Sequence, residues 1–358
     1  MLTALRFSLI AFKNSWIIGN GSSFQMKTQQ QIVTIEKSNI DKAKLCFNGK
    51  PVREIQSNSK LLKHENNALS LLRIETSDEL CKLLVTSFCQ VENAINNPSY
   101  IHFQRPKKKG GFREIYAPSK DLKIIQKRLN YYLQAYYLCI KPKEVHGFVI
   151  NPHYLGSHCN IAANAKMHVG RKSVLNIDLK DFFPSIRARQ VKELFLSNIF
   201  GFNEQIANAL TLLTTLNGRL PIGAPTSPVI SNFICAKLDA DLIDFSKNNG
   251  LSYTRYADDL TFSSSSKISH DELLDIINII KKNGFAINPK KLRIQSENRK
   301  QTVTGLIVNE KVNVDRRLLK KVRAMLHDLS KNGIEEATRK HYGIKGIVAQ
   351  NQMDDFRN

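Results

Sequence analysis

Three aspartates carry the chemistry open to this sequence. Asp258 and Asp259 stand side by side in Leu251-Ser-Tyr-Thr-Arg-Tyr-Ala-Asp-Asp-Leu-Thr-Phe262, and Asp178 closes the apolar run Ser173-Val-Leu-Asn-Ile-Asp178. Val, Thr, Tyr and Phe favour strands, so residues 253–256 read as one strand, 260–263 as the next, and the acidic pair as the hairpin turn between them. An aspartate in a turn ordinarily caps backbone amides and does nothing more. Asp178 changes that reading. Two strands ending in acids, 80 residues apart (178 to 258), can lie side by side in one sheet and converge their oxygens on one point. Such a cluster suits hard divalent cations, which take oxygen ligands.

A site of this kind needs a scaffold and a partner. With 358 residues, 42% of them hydrophobic, the chain can bury a substantial core divided over two or three subdomains. Lys plus Arg number 53 against 31 Asp plus Glu, a net charge of +22, well beyond what solubility requires. The basic clusters are spread along the chain, at Lys107-Lys108-Lys109, Lys141 and Lys143, Lys290-Lys291, and Arg316-Arg317 with Lys320-Lys321. No basic amphipathic membrane anchor stands out, so the expected polyanion is nucleic acid. The six cysteines form no C-x-x-C pair, which argues against zinc and against a disulfide framework and for reduced thiols in a cytoplasm. His146, His153, His158 and His168 match no zinc spacing. Residues 1–25 are apolar in patches, but Arg6, Lys13 and Asn14 break them up. No run reaches the roughly 18 residues of a membrane span, so this segment is expected to be an N-terminal extension, neither an anchor nor an export signal.

The intervening stretches supply the positioning elements. Leu69, Leu71, Leu72, Leu80, Leu83, Leu84 and Phe88 recur at helical steps and predict a helical layer over residues 40–97. A β-hairpin follows, with strands at 100–105 and 112–117 and a basic glycine-containing tip at 106–111. Lys109 and Arg113 on it would suit a triphosphate, because an arginine fork pairs with phosphate oxygens and lysine adds mobile charge. Residues 122–133 read as an amphipathic helix with a basic face, and residues 160–168 as a short helix placing Asn164 and His168 on one face. In residues 220–232 Gly223 and three prolines force a turning backbone, and Thr226 or Ser227 is expected to cap a helix running to Asn249. Gly223 would let a sugar and base approach the backbone closely. Beyond the acidic hairpin come a helix over 271–283, a strand near 285–294, a small hairpin over 301–314, and a basic helix over 315–331. Leu318, Leu319, Val322, Met325 and Leu326 are expected to point inward from that last helix.

Taken in order, these motifs resemble those of reverse transcriptases over about residues 100–330. Ile177-Asp-Leu-Lys-Asp-Phe-Phe183 is similar to the family's first catalytic motif, Gly223-Ala-Pro-Thr-Ser-Pro228 with Ser231-Asn232 to its template-and-nucleotide motif, and Tyr256-Ala-Asp-Asp259 to its catalytic hairpin. Asn164-Ala-Lys-Met-His168 and Val303-Thr-Gly305 resemble two elements of the bacterial retron branch. The resemblance implies an α+β right-hand polymerase with fingers, palm and a short helical thumb. Residues 26–172 would form the fingers, 173–310 the palm (187–222 partly fingers) and 311–358 the thumb.

It further implies RNA-directed DNA synthesis with two Mg2+ ions, replaceable by Mn2+, held by Asp178, Asp258, Asp259 and the carbonyl of Leu179. Lys109, Arg113, Phe183, Ile222, Gly223 and Lys291 would serve the nucleotide, with Phe183 excluding a 2′-hydroxyl. Asn164, His168, Val303, Thr304, Gly305, Arg316, Arg317, Lys320 and Lys321 would serve RNA. The partners implied are a cognate structured non-coding RNA acting as template and primer, the RNA–DNA hybrid product, deoxynucleoside triphosphates and an effector protein in antiphage defence, with no membrane. Two alternatives stay open: another bacterial reverse transcriptase, of abortive-infection or group II intron type, and a catalytically idle RNA-binding scaffold.

Overall fold

The computed structural model describes residues 61–107, 110–152, 159–343 and 353. Its first layer is helical, as the leucine spacing predicts: α1 (Lys63–Leu72), α2 (Ser77–Leu83) and α3 (Phe88–Asn96). Capping boxes start two of them, Thr76 with Glu79 and Ser87 with Gln90, satisfying amide groups that a helix start leaves unpaired. An antiparallel hairpin follows, β1 (Tyr100–Pro106) and β2 (Phe112–Pro118). It leads into α4 (Lys120–Ile140), which packs along α1; Leu69 of α1 and Leu129 and Leu133 of α4 are fully buried.

Next come α5 (Ile161–Lys166), β3 (Ser173–Asp178), α6 (Phe182–Ser185), α7 (Ala188–Leu196) and α8 (Glu204–Thr214). The helix expected from 227 to Asn249 is two, α9 (Ser227–Ile234) and α10 (Ala236–Asn248), meeting at Cys235, where ψ is −2°, far from the ideal helical value. Neither Thr226 nor Ser227 caps α9 with its side chain. The Ser227 hydroxyl donates instead to the Pro221 carbonyl at 2.7 Å, tying down the loop that precedes the helix.

The chain then forms β4 (Ser252–Tyr256), β5 (Asp259–Ser264), α11 (His270–Lys282), a 3-10 turn (Pro289–Lys291), β6 (Arg293–Ser296), β7 (Thr302–Val303), β8 (Leu306–Ile307) and α12 (Arg316–Tyr342), which breaks at Gly333. The fold is α+β. Its central sheet is antiparallel throughout, in the order β4-β5-β3-β6. Val174, Leu175, Ile177, Leu260 and Phe262 are each at most 1% exposed, so both strands that carry the aspartates are anchored in the core.

Three expectations fail here. The strand expected near 285–294 is instead an isolated bridge at Ile287, the 3-10 turn and the later strand β6. The hairpin expected over 301–314 is tighter, confined to β7–β8, with Asn313 pairing only as an isolated bridge to Ile307. On α12, Leu318, Leu319, Val322 and Leu326 are 52%, 38%, 41% and 58% exposed. They do not point into a core, because the described residues put no element over that face. Among the described residues no helix is long and apolar enough to cross a membrane, and Cys81, Cys89, Cys139, Cys159 and Cys235 are free thiols.

Candidate active site

The sheet register does what the two acid-ended strands promise. Asp178, the last residue of β3, lies directly opposite Asp259, the first of β5, and Asp258 occupies the turn between β4 and β5. The Leu179 amide donates to the Asp258 carbonyl at 2.9 Å, so the turn is stitched to the strand that carries the third acid. The turn itself is sharp, with Ala257 at φ 60°, a conformation uncommon for any residue but glycine.

Residues 144–148 strap this hairpin from outside. The Arg255 amide donates to the Glu144 carbonyl and the His146 amide to the Arg255 carbonyl, both at 3.0 Å. A Cβ on Gly147 would stand 2.2 Å from the Ala257 nitrogen, so only glycine permits the strap to lie so close.

From the other side the Arg255 side chain, wholly buried, forks onto Asp239 of α10 with Nε–Oδ1 2.8 Å and Nη2–Oδ2 2.6 Å. It also reaches the Asn232 Oδ1 at 2.8 Å and the Ala257 carbonyl at 3.2 Å. Sequence reasoning missed Arg255, Asp239 and Asn232 as positioning residues. Their one local signal was an arginine inside a short strand, Ser252–Tyr256, which when buried needs an acid partner.

Electrostatically the three acids are short of positive charge. Asp178 is 6% exposed and takes Lys291 Nζ at 2.6 Å and Asn288 Nδ2 at 3.4 Å. Desolvation, then the Asp178 charge, raises the pKa of Asp258 against the pull of Lys291 and Arg113. Desolvation, then the charges of Asp258 and Asp178, pushes Asp259 up to about 6. Burial works against the charge of Lys291, but the hydrogen bond it donates to Asp178 and the attraction of all three acids outweigh it and raise its pKa.

No three His, Cys, Asp or Glu side chains close into a metal cage among the described residues. The donor set nevertheless fits Mg2+. It offers hard carboxylate oxygens that repel one another in a partly desolvated cleft, and Mg2+ prefers one or two carboxylates completed by substrate phosphates to an all-protein cage.

The residues expected to serve the nucleotide divide. Arg113 on β2 is exposed and close enough to act on Asp258; Lys109 lies outside the described residues. Lys291 is in the cluster itself. Phe183, half-buried on α6, sits among Phe148, at 5.6 Å between ring centroids, and Phe182, at 5.4 Å. The Ile222 carbonyl accepts from the Tyr116 amide at 2.7 Å. Gly223 has φ 116°, and a Cβ there would come within 2.9 Å of the Tyr116 carbonyl. The space this glycine leaves is therefore taken by the β1–β2 hairpin's own backbone.

The residues expected to serve RNA need a correction. Asn164, His168 and Val303 are 1%, 0% and 0% exposed and do not face solvent. His168 bridges Ser263 on β5 and Thr254 on β4, each at 2.7 Å, and burial lowers its pKa to about 3. Val303 packs with Ala165, Val174 and Val308 in a small core. Thr304 and Gly305, at φ 47° and 86°, make the tight β7–β8 turn of a kind needing two positive φ values, and the Thr304 hydroxyl donates to the Ile161 carbonyl at 3.2 Å. The two short elements are thus one packed unit behind the sheet. Arg316, Arg317, Lys320 and Lys321 are exposed, as an RNA contact requires.

A family model described as reverse transcriptase (RNA-dependent DNA polymerase) matches residues 105–308. The chain belongs to the reverse transcriptase family, and its relatives fall on the retron-type branch. It is 34% identical to the retron Mx65 reverse transcriptase of Myxococcus xanthus over 71% of this chain and 61% of that one. It is 39% identical to the retron Ec86 reverse transcriptase of Escherichia coli over 61% and 65%, and 34% identical to the retron Ec73 reverse transcriptase of the same species over 68% and 79%. The match therefore spans less than two thirds of the length of the first two. Among solved structures, a telomerase from Candida albicans in complex with a fragment of telomeric RNA aligns with a TM-score of 0.41 at 10% identity, over 69% of this chain and 54% of that one.

Proposed function

We propose that the protein is an RNA-directed DNA polymerase that copies part of a cognate structured RNA, itself template and primer, into RNA-linked single-stranded DNA. The observation that carries this reading is the register of Asp178 opposite Asp259 with Asp258 in the adjoining turn. Asp178, Asp258 and Asp259, with the carbonyl of Leu179, are the groups that would hold Mg2+ or Mn2+. Such ions, when bound, make a primer hydroxyl nucleophilic and neutralise charge on the leaving pyrophosphate.

The chain's own groups do the rest. Arg113 holds the triphosphate from β2, a role the sequence also assigns to Lys109, Lys291 lies within reach of the leaving phosphates, and Phe183 stands where a bulky ring excludes a 2′-hydroxyl. Ile222 floors the nascent pair, and Gly223 lets that loop close against the Tyr116 backbone. Arg316, Arg317, Lys320 and Lys321 track the backbone of the RNA–DNA hybrid, whose affinity is set largely by counterion release. In this reading residues 173–310 are the palm, the preceding described residues mainly fingers, and α12 the thumb. The same reading gives the enzyme a cytoplasmic role in antiphage defence, beside an effector protein.

The test is labelled deoxynucleotide incorporation with Mg2+ on RNA that co-purifies with the protein. Labelled DNA that shortens on ribonuclease treatment supports covalent RNA-linked synthesis; DNA growing without any RNA template overturns it.

A further inference from the structure

Phe148 has no role in the chemistry described above, yet its placement is specified from three sides. It follows Gly147, whose hydrogen faces the Ala257 nitrogen of the catalytic hairpin so closely that no side chain fits. Its own backbone is in the left-handed region, φ 60°, where a bulky residue is an outlier that its surroundings must hold in place. Those surroundings are two buried amides. Gln134 of α4 donates through Nε2 to the Phe148 carbonyl at 3.0 Å and accepts from the Ile150 amide at 3.3 Å. Asn232 of α9 donates through Nδ2 to the Gly147 carbonyl at 3.1 Å and to the Phe148 carbonyl at 3.4 Å. The Oδ1 of the same Asn232 accepts from Arg255, so one side chain binds both the strap and the arginine that fixes the acidic turn.

The product of this arrangement is a ring. Phe148 stands 5.6 Å from Phe183 at an interplanar angle of 33°, while Phe182 and, behind it, Phe285 pack on from another direction. A gate ring excludes a hydroxyl only if it cannot swing aside, and offset aromatic packing supplies that restraint.

We propose that Phe148 is a specificity-determining residue, which acts through Phe183 by holding its ring in the position that rejects a ribonucleotide. Asn232 ties this backing to the hairpin of Asp258 and Asp259, so that sugar selection and metal geometry are set from one hub. The inference rests on the proposed polymerase activity and on Phe183 as the gate, and the experiment separates the three.

Selectivity is read as kcat/KM for dGTP over that for GTP, with the full-length chain, Mg2+, and an RNA template annealed to a DNA primer. Phe183→Ala, Phe148→Ala and Phe148→Leu are compared with wild type, each checked by thermal melting. Phe183→Ala is expected to lose selectivity outright. Phe148→Ala is expected to lose about tenfold, the scale of one packing contact in a pocket, through a lower KM for GTP. Phe148→Leu keeps the bulk and loses less; it also carries the test if the alanine variant does not fold.

Wild-type selectivity in both Phe148 variants, with Phe183→Ala impaired, overturns the inference. So does an equal fall in dGTP and GTP turnover, which is what a merely structural residue would give. Unchanged selectivity in Phe183→Ala overturns the gate and this inference with it, and a wild type that extends no primer overturns the polymerase reading itself.

Discussion

Arg255, three residues before Asp258, forms a two-point ion pair with Asp239 in which the side chains are 0% and 1% exposed. Tyr253 also donates its hydroxyl to Asp239 at 2.8 Å. The pair therefore satisfies itself inside the core while it holds the Ala257 carbonyl, and stability and catalysis can be separated at this point. Asp239→Ala strands a buried guanidinium and is expected to cost about 3–5 kcal/mol in chemical denaturation. Replacing both partners, Arg255→Met with Asp239→Leu, should recover most of that stability, because a packed apolar pair does not need desolvated charge. Nucleotide incorporation should stay low in the double variant, since the Ala257 and Asn232 contacts are not restored.

The raised pKa of Asp259 implies a pH dependence of defined sign. Its carboxyl goes from an ordinary 3.8 to about 6 in the fold, so the native state binds the proton more tightly than the unfolded chain. Stability of the metal-free protein from this group is present at low pH and lost as pH rises through that window. Asp259→Asn should therefore raise the melting temperature at about pH 7.5 and change it little near pH 4, while abolishing incorporation.

His168 acts in the opposite sense. Its folded pKa of about 3 lies below the ordinary 6.5, so its contribution is full above about pH 6.5 and declines as pH falls towards 3. His168→Leu should destabilise the fold at neutral pH by about 1–3 kcal/mol, from Ser263 and Thr254 hydroxyls left unpaired. It should also flatten the acid limb of the unfolding profile. RNA affinity measured well below the melting temperature should not change, since the imidazole is buried.

Lys291 pairs with Asp178 at 2.6 Å and is 52% exposed at its side chain, so it would compete with a metal ion for that carboxylate and can leave. Lys291→Met is expected to lower the Mg2+ concentration needed to stabilise the nucleotide-free protein, because an ammonium no longer occupies Asp178. The same change should raise the KM for deoxynucleotides about tenfold or less, the effect of one lost charged contact. Thermal melting against Mg2+ and steady-state kinetics check the two signs independently.

The convergence of the three aspartates was legible because strand periodicity and acid-terminated runs are local signals, and β3, β4 and β5 follow them closely. The strands of the β1–β2 hairpin were legible for the same reason. What was hidden depends on distant partners. Nothing local marks Asp239 as the counter-ion of Arg255, or Asn288 as a support for Asp178 across 110 residues. Asn164 and His168 were assigned to RNA on resemblance alone, yet α5, which carries Asn164, packs against β4 and β7–β8, and His168 just beyond it is buried between Ser263 and Thr254. The apolar residues of α12 were expected inward on helical spacing alone, and spacing defines a stripe without saying what covers it.

The most direct measurement is incorporation of labelled deoxynucleotides, with Mg2+ and co-purified RNA, by the wild type and by Asp258→Asn with Asp259→Asn. The expected result is RNA-linked DNA from the wild type alone, with RNA binding retained in the variant. Equal incorporation by both proteins, or silence from both while each binds the RNA tightly, would contradict the assignment of these carboxylates as the catalytic centre.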